Sequence, residues 1–390
     1  MEKRKVVMIE GDGIGPEVCE AVRTVIAATG APIEWVIAEA GLGALEHHGD
    51  PLPNETLALL REHRVGIKGP TMTPTGEGHR SVNVRLREEL GLFAGVRPVR
   101  TIAGVHHPLS ALKRTVNLVV VRENLEDLYA GIEFTWGELS PSTQTEINVR
   151  HAITEGGAIA LKVITPERTK QICIFAFRYA RQHGRKKVTC VHKANILKET
   201  DGLFLRIFQE VAGAYPDIEA NDFLMDAAAM RLVRNPEQFD VLVCPNLYGD
   251  ILSDLCAALV GGLGVVPGAN IGADCALFEA VHGTAPDIAG QGKANPTALL
   301  LSAVMMLEHL YELDVHAHPI VGDQVGYGSI AKWLRSAIRH VVGGPYVTAD
   351  IWRKGDDPDD VPASTMRMTQ AITEHYRAVV DEEMDTGFGR

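Results

Sequence analysis

Two carboxylates spaced four residues apart, Asp250 and Asp254, are the side chains that most directly suggest chemistry in this sequence. They follow the apolar run Val241–Cys244, which predicts a buried strand, and they precede an apolar segment that predicts a helix. Residues four apart share one face of a helix, and open α/β sheets bind ligands where strands end. The pair is therefore a candidate site for a divalent cation, although an aspartate here is also a common helix cap.

A further acid, Asp226, lies among apolar residues. If it is buried it needs a partner, and a metal shared with Asp250 and Asp254 would supply one.

Arginines provide the second set of candidates. Arg87, Arg97 and Arg122 lie near predicted strand ends, where guanidinium groups can bind carboxylates through two hydrogen bonds. Ser81 and Asn83 fall in the same short region as Arg87. A solvated basic helix face is the alternative, but the three arginines in combination favour recognition of a carboxylate-bearing substrate.

Two residues are candidates for acid–base chemistry. Tyr129 follows Arg122 by seven residues, and it could act as a general acid only if its neighbours lower its pKa. A lone tyrosine is more often a packing residue. Lys193 follows the predicted strand 187–191, where it is either a tuned acid–base group or, more usually, a lysine extended along the surface.

The loop from His282 to Asp287 reads His-Gly-Thr-Ala-Pro-Asp. Its backbone N–H groups, hydroxyl and imidazole suit a nucleotide, and an ordinary Gly/Pro surface loop explains them equally well. Asp287 bears on cofactor choice, because a carboxylate accepts a hydrogen bond from a ribose 2′-hydroxyl and repels a 2′-phosphate.

The elements that must position these residues alternate between strands and helices, which is typical of an α/β protein. Strand 6–9 leads through the Gly-rich turn 10–17 into a helix ended by Gly30, but the glycines lack dinucleotide-fold spacing. The other predicted strands are Val65–Lys68, 118–121, 187–191 and Val241–Cys244. The other predicted helices are 56–63, 81–90, 296–313, 329–342 and one from Ser364. Two loops are predicted, at 69–79 and at the acidic residues Asp356, Asp357, Asp359 and Asp360, and the polar segment 135–149 is a small exposed hairpin or an oligomer arm.

Composition limits the classes of function. With 390 residues the chain is long enough for two domains, and its 46% apolar and 23% charged residues are typical of a soluble globular enzyme. The net charge of -12 argues against nucleic acid and anionic membranes as main partners. The six cysteines show no C-x-x-C spacing and predict reduced core thiols. We see neither a signal-peptide pattern nor a membrane-spanning apolar run, so we expect a cytoplasmic protein.

The ordered motifs jointly resemble the isocitrate and 3-isopropylmalate dehydrogenase family of β-hydroxyacid oxidative decarboxylases, and most closely its NAD-dependent isocitrate dehydrogenases. The resemblance covers nearly the whole chain. The motifs are Gly11-Asp12-Gly13-Ile14-Gly15-Pro16-Glu17, Arg122-Glu123-Asn124 with Tyr129-Ala130-Gly131, His192-Lys193, Asn246-Leu247-Tyr248-Gly249-Asp250, Pro267-Gly268-Ala269-Asn270-Ile271-Gly272 and His282-Gly283-Thr284-Ala285-Pro286.

This resemblance implies a two-domain α/β fold that is not a Rossmann fold. Residues 1–96 and 260–390 would form a large, nucleotide-binding domain, and residues 97–259 a small domain with a clasp around 135–149. The protein would be a homodimer with shared active sites, and Lys193 and Asp226 would come from the neighbouring subunit.

The resemblance also implies the reaction, which is metal-dependent oxidative decarboxylation of isocitrate, or of a close isocitrate-like 2-hydroxy acid, with NAD as oxidant. Tyr129 and Lys193 would be catalytic. Mg²⁺ or Mn²⁺ would bind Asp226, Asp250 and Asp254. A polycarboxylate substrate would be held by Ser81, Asn83, Arg87, Arg97 and Arg122. NAD would be bound by Ile14, Thr73, His282, Gly283, Thr284, Ala285, Asp287, Ile288 and Asn295.

Two residues depart from the family pattern. Leu125 replaces a small hydroxyl residue, and Gly95 replaces a larger one. Both flank substrate-facing segments, so homoisocitrate, 3-isopropylmalate or a phosphonate analogue stay open as substrates. The alternative from another class is a non-catalytic regulatory subunit of a heteromeric enzyme. Such a subunit would be expected to lack part of the catalytic and metal-binding set, and all five of these residues are here.

Overall fold

The computed structural model describes residues 3–74, 78–317, 326–354 and 361–387. The predicted acidic loop at Asp356, Asp357, Asp359 and Asp360 lies outside the described residues, as do residues 75–77 of the predicted loop 69–79. Strands and helices alternate along the described chain, as predicted for an α/β protein.

Most described strands belong to one ten-stranded sheet, and only β6 and β7 pair separately. In chain order the strands are β1 (Arg4–Ile9), β2 (Ile33–Ala38), β3 (Val65–Lys68), β4 (Ala94–Arg100), β5 (Asn117–Glu123), β6 (Glu133–Thr135), β7 (Ala158–Ala160), β8 (Lys187–His192), β9 (Glu219–Leu224), β10 (Val241–Cys244), β11 (Pro267–Ile271) and β12 (Ala276–Ala280).

Helices connect and cover these strands. In chain order they are α1 (Gly15–Thr29), α2 (Leu42–His48), α3 (Asn54–His63), α4 (Val82–Glu89), α5 (Pro141–Arg150), α6 (Pro166–Gln182), α7 (Thr200–Ala212), α8 (Met225–Arg234), α9 (Asn246–Ala258), α10 (Thr297–Ala317), α11 (Tyr327–Val342) and α12 (Thr365–Gly387).

The order of the large sheet is β2-β1-β3-β12-β11-β4-β5-β10-β8-β9. The first four strands are mutually parallel, and so are the last four. Between these halves, β11 and β4 each pair antiparallel with both neighbours. Because a Rossmann sheet is parallel in the order 3-2-1-4-5-6, this topology confirms a non-Rossmann α/β fold.

Burial on both faces explains why central strands such as β5 and β10 contain continuous apolar runs. In β1, Val6 and Met8 belong to one apolar cluster, whereas Val7 and Ile9 belong to a second. Helix α1 begins beside Pro16 and ends at a left-handed glycine, as its sequence predicts. All six cysteines are free and buried, which confirms the predicted reduced core thiols.

The polar segment 135–149 is predicted to be either a small exposed hairpin or an oligomer arm, and the structure differs from the first of these. It is mostly exposed, but it does not form a hairpin by itself, because residues 141–150 are helix α5. The antiparallel pair β6–β7 flanks that helix. Ser140 accepts a hydrogen bond from the Thr143 N–H and Pro141 occupies the first turn, which are helix-start signals that the sequence already contained. Its role as an oligomer arm stays a prediction.

No helix in the described ranges has the length and apolarity required to cross a membrane. The predicted boundary between residues 96 and 97 falls inside β4, so the large sheet runs through both predicted domains. The division into domains stays a prediction.

Candidate active site

Asp250 and Asp254 lie on α9, which begins at Asn246 directly after the buried strand β10. The buried amide of Asn246 fixes this helix start by donating to the Glu126 carbonyl at 3.1 Å and accepting from Arg122 Nε at 2.9 Å. A Cβ at Gly249 would lie only 2.6 Å from the Arg122 side chain, so glycine lets the arginine pass.

Two predicted site residues, Tyr129 and Arg122, meet at a third, Asp250. Its carboxylate accepts hydrogen bonds from the Tyr129 hydroxyl and from Arg122 Nη1, and the Arg122 guanidinium lies 4.8 Å from the centre of the Tyr129 ring. Burial and the hydrogen bond to Asp250 raise the pKa of Tyr129, with Arg122 opposing them. The sequence predicts that Tyr129 acts as a general acid only if its neighbours lower its pKa. Within the single chain its pKa is raised instead, so this condition is not met there.

Asp254 is one helical turn from Asp250. Burial and the charge of Asp250 raise the pKa of Asp254, and the charges of Arg97 and Arg122 oppose this shift. Two carboxylates that repel each other, with oxygen donors on one helix face, fit a hard divalent cation. The chemistry of the donor set thus supports the predicted metal site.

The predicted substrate arginines form one cluster with a residue that the sequence did not single out. Glu279 Oε1 lies 3.6 Å from Arg87 Nη2 and 3.4 Å from Arg97 Nη2. Its other oxygen is 3.0 Å from Nζ of the buried Lys68. Burial acts to raise the pKa of Glu279, but Lys68 and the two arginines lower it well below its usual range. A glutamate inside the apolar strand β12 was the available signal for this partner.

The arginine cluster has more buried donors than the chain satisfies. Arg87 Nε, Arg97 Nε and Nη1, and Arg122 Nη2 are buried and make no hydrogen bond within the described structure. Burial lowers the pKa of Arg87 to about 10, and the nearby charge of Arg122 adds to this effect. Unpaired buried guanidinium N–H groups are costly, so this pocket is built for an anion.

Ser81 and Asn83 lie at the start of α4, the helix that also carries Arg87. Both are half-buried, and Asn83 Oδ1 accepts from the Thr71 hydroxyl at 3.3 Å. The predicted distal-group residues and Arg87 are thus held by one element.

Lys193 and Asp226 are not brought to this pocket. They pair with each other, Nζ to Oδ1 at 2.6 Å, and the Asp226 side chain is 69% exposed. Within the described ranges, Asp226 does not come with Asp250 and Asp254 into a group whose ligand atoms all lie within 4.8 Å. The sequence predicts that a buried Asp226 needs a partner such as a metal. Within one chain Asp226 is exposed, and its partner is Lys193.

A buried network of charged side chains, which was not predicted from the sequence, connects the Lys193 loop with the start of α9. Lys162 Nζ lies 2.5 Å from Asp201 Oδ1 and 3.6 Å from Asp127 Oδ1, and both carboxylates are fully buried. Asp201 accepts from the Lys193 backbone N–H at 2.6 Å, and Asp127 accepts from the Leu247 N–H at 2.9 Å. The network therefore anchors both the Lys193 loop and the start of α9.

The Gly-rich turn packs against the loop that follows β12. The Ile14 N–H donates to the Thr284 carbonyl at 2.9 Å, and a Cβ at Gly13 would clash with the same carbonyl. The buried Asp12 accepts from the Leu42 and Met72 N–H groups, each at 2.7 Å, and so fixes the loop that contains the exposed Thr73. The structure thus joins three of the segments predicted to bind NAD.

The other residues predicted to bind NAD differ in how exposed they are and in whether their side chains already have hydrogen-bond partners. His282 Nε2 is buried and has no hydrogen-bond partner in the described structure, which suits a polar ligand. Gly283, Ala285 and Asp287 are exposed, and Ile288 is half-buried. The Asn295 amide instead donates to Asp350 at 2.8 Å, so its side chain is engaged within the protein.

Gly95 and Leu125, the two residues that depart from the family pattern, have different structural surroundings. A Cβ at Gly95 would meet Asn124 Oδ1 at 2.9 Å and the Arg122 Cβ at 3.4 Å, so a larger residue would displace the Asn124 amide. Leu125 is half-buried, packs against the apolar core and lines a groove with Glu88 and Thr165.

Comparison with known proteins identifies the family of this chain. The family described as isocitrate/isopropylmalate dehydrogenase matches residues 5–373. The chain belongs to this family. A probable isocitrate dehydrogenase [NAD] subunit alpha, mitochondrial, of Caenorhabditis elegans is 48% identical over 80% of this chain and 82% of the relative. A chloroplastic 3-isopropylmalate dehydrogenase of Solanum tuberosum is 47% identical over 78% of this chain and 79% of the relative. The crystal structure of isocitrate dehydrogenase from Methylococcus capsulatus is 46% identical, covers 97% of this chain and 100% of that chain, and has a TM-score of 0.82.

Membership of the isocitrate/isopropylmalate dehydrogenase family confirms the predicted family and fold, and it confirms an NAD-dependent decarboxylating dehydrogenase as the class of enzyme. Metal binding follows from the family. The individual residue roles, the homodimer and the cytoplasmic location stay predictions.

Proposed function

We propose that this protein catalyses the metal-dependent oxidative decarboxylation of isocitrate, or of a close isocitrate-like 2-hydroxy acid, to the 2-oxo acid with reduction of NAD. The observation that carries the proposal is the set of unpaired, buried guanidinium N–H groups of Arg87, Arg97 and Arg122 beside Asp250. A polycarboxylate would satisfy these donors.

The residues of the chain divide the work by their chemistry. The three arginines would bind and orient the substrate carboxylates and exclude water from the buried pocket. Lys193 would assist proton removal from the substrate hydroxyl, and Tyr129 would protonate the carbon that loses CO₂. Mg²⁺ or Mn²⁺, held by Asp250, Asp254 and Asp226, would supply Lewis-acid stabilisation of developing negative charge.

NAD would bind where the Gly-rich turn meets the loop after β12, and it would accept the hydride. The exposed carboxylate of Asp287 suits a ribose 2′-hydroxyl and disfavours a 2′-phosphate. His282, with its unsatisfied Nε2, offers a further polar contact for the nucleotide. These features support NAD over NADP.

The distal end of the substrate decides between isocitrate and 3-isopropylmalate. Ser81 and Asn83 offer polar groups on α4, and an isopropyl group would leave them unpaired. The polar pair therefore favours a carboxylate, and homoisocitrate and a phosphonate analogue stay open because each also carries a polar distal group.

We further propose a cytoplasmic homodimer in which Asp226 and Lys193 of one subunit complete the site of the other. Their separation from Asp250 within one chain supports this arrangement. The presence of Tyr129, Lys193 and the three aspartates argues against a non-catalytic regulatory subunit.

Turnover by the purified protein tests the proposal. With isocitrate, NAD and Mg²⁺ we expect NADH and CO₂ in equal amounts, and no NADH after chelation of the metal. Turnover only with 3-isopropylmalate or homoisocitrate would reassign the substrate, and no turnover with any of these acids would contradict the enzymatic function.

A further inference from the structure

A second cavity, of about 580 Å³, lies on the face of the sheet opposite to the arginine cluster. Val96 and Pro98 form part of its floor, whereas Arg97 points to the other face and contacts Glu279. Helix α6 bounds the cavity on one side, and α10 and α11 bound it on the other. Its volume is within the range of small-molecule sites.

Positive charge is in excess at this cavity, although the whole chain is acidic. The lining charged groups are Arg100, Arg185, Arg335, Arg339, Glu308 and Glu312. Arg335 is neutralised by Glu308, with Nη–Oε distances of 2.5 and 2.6 Å, and Arg185 by Asp240 at 2.9 Å. The guanidinium groups of Arg100 and Arg339 make no hydrogen bond or ion pair with any described residue.

The two unpaired arginines belong to one crowded positive region. Arg339 lies one turn after Arg335 on α11 and shares a second, smaller pocket of about 60 Å³ with Arg335 and Arg100. Burial lowers the pKa of Arg339 to about 10, and the charges of Arg100 and Arg335 act in the same direction. An anion between Arg100 and Arg339 would relieve this repulsion.

The other end of the cavity is apolar. Arg100 is the last residue of β4, whereas Val96 lies four residues earlier and faces the same side of the sheet. Ile271 pairs with Ala94 on the neighbouring strand, and Phe175 of α6 contacts Phe93 edge-to-face at 5.7 Å. The cavity therefore changes from cationic to apolar along β4.

We propose that this cavity binds a small organic dianion, with its charged group between Arg100 and Arg339 and an apolar or aromatic body over Val96, Phe175 and Ile271. The charged group is a phosphate monoester or a pair of carboxylates. The site is separate from the dehydrogenase pocket, and it does not depend on the proposed reaction.

Calorimetric titration of the whole protein tests this site with phenyl phosphate and with phthalate, which distinguish the two head groups. We expect saturable binding of at least one probe, weakened about tenfold in Arg339→Gln and in Arg100→Gln, since each change removes one charge-assisted contact. Arg206→Gln, which changes an exposed arginine of α7 outside the cavity, should leave binding unchanged.

Several results would overturn the proposal. They are the absence of saturable binding by both probes, equal affinity in Arg339→Gln and Arg206→Gln, and binding that survives Arg339→Gln but is lost in Arg122→Gln. Inorganic phosphate that binds as tightly as phenyl phosphate would refute the apolar subsite.

Discussion

The hydroxyl of Tyr129 donates a hydrogen bond to the carboxylate of Asp250, across 121 residues of sequence. This contact joins a candidate proton donor to a candidate metal ligand. Arg122, which binds the same carboxylate, adds the substrate arginines to the group. One chain therefore brings a candidate proton donor, a candidate metal ligand and a substrate arginine together by itself.

Replacement of Tyr129 by phenylalanine tests its role as proton donor. General acid catalysis contributes about 10²- to 10⁴-fold, so we expect kcat to fall by at least about 100-fold in Tyr129→Phe while the KM for NAD changes little. Steady-state kinetics measure both quantities. Tyr215→Phe is the matched control, because that ring stacks on Phe177 away from Asp250. An unchanged kcat in Tyr129→Phe would remove the residue from the mechanism.

The surface position of Asp226 predicts complementation between two inactive variants. Asp226→Asn and Asp250→Asn should each lose metal-dependent activity, because each removes a proposed ligand. If Asp226 acts in the neighbouring subunit, mixing the two variants under subunit exchange restores one intact site per mixed dimer. Random mixing would then recover about a quarter of the wild-type activity.

The same experiment has an outcome that would contradict the prediction. Activity that stays at the level of the single variants after exchange, with mixed dimers confirmed by mass, would mean that Asp226 acts within its own chain or outside the site.

Glu279 is predicted to be a stability determinant as well as a charge partner. Glu279→Gln leaves Lys68, with 1% of its side chain exposed, without its anionic partner. Loss of one member of a buried ion pair costs about 3–5 kcal/mol, so the free energy of unfolding should fall by about that amount. Denaturant titration measures it. Glu88→Gln, which breaks an exposed pair with Arg80, should cost no more than about 1 kcal/mol.

The lowered pKa of Glu279 also predicts the direction of a pH effect. Because the folded pKa lies below the unfolded value, the carboxylate contributes stability above the ordinary glutamate pKa, and this contribution is lost as the pH falls. This loss begins near the ordinary glutamate pKa of about 4.3, so unfolding measured from about pH 6 down to about pH 3 should show a shallower loss in Glu279→Gln than in the wild type. Parallel curves for the two proteins would refute this linkage.

Lys162 is predicted to support catalysis without touching the substrate. Lys162→Met leaves Asp127 and Asp201 buried without their cation, so we expect a loss of about 3 kcal/mol in the free energy of unfolding. We also expect kcat to fall, because Asp201 anchors the Lys193 backbone. Lys162→Arg should recover part of both, and Lys187→Met, at a more exposed pair, should affect neither strongly. Normal kcat in a folded Lys162→Met protein would refute the positioning role.

The apolar runs were enough to predict β1, β3, β5, β8 and β10, of which β10 is uniformly apolar and buried. The remaining described strands were not predicted, because segments such as β9 and β11 are partly polar or contain Pro and Gly. The sequence pattern also placed Asp250 on a helix after a strand. Ion pairs between residues that are far apart in the sequence could not be predicted from such local patterns. The pairing of Glu279 with Lys68 depends on the parallel register of β12 and β3, and the Lys162 network depends on how two loops meet the start of α7. Helix α5 was missed because its polar composition outweighed its Ser-Pro start signal.

The measurement that tests the central claim most directly is the substrate and cofactor dependence of turnover by the purified protein, followed by the absorbance of the reduced nicotinamide and by released CO₂. The account predicts that isocitrate with NAD and Mg²⁺ or Mn²⁺ gives the highest kcat/KM, that NADP is a poor substitute, and that chelation abolishes the reaction. Turnover that persists without a divalent cation, or that occurs with none of isocitrate, homoisocitrate and 3-isopropylmalate, would contradict it.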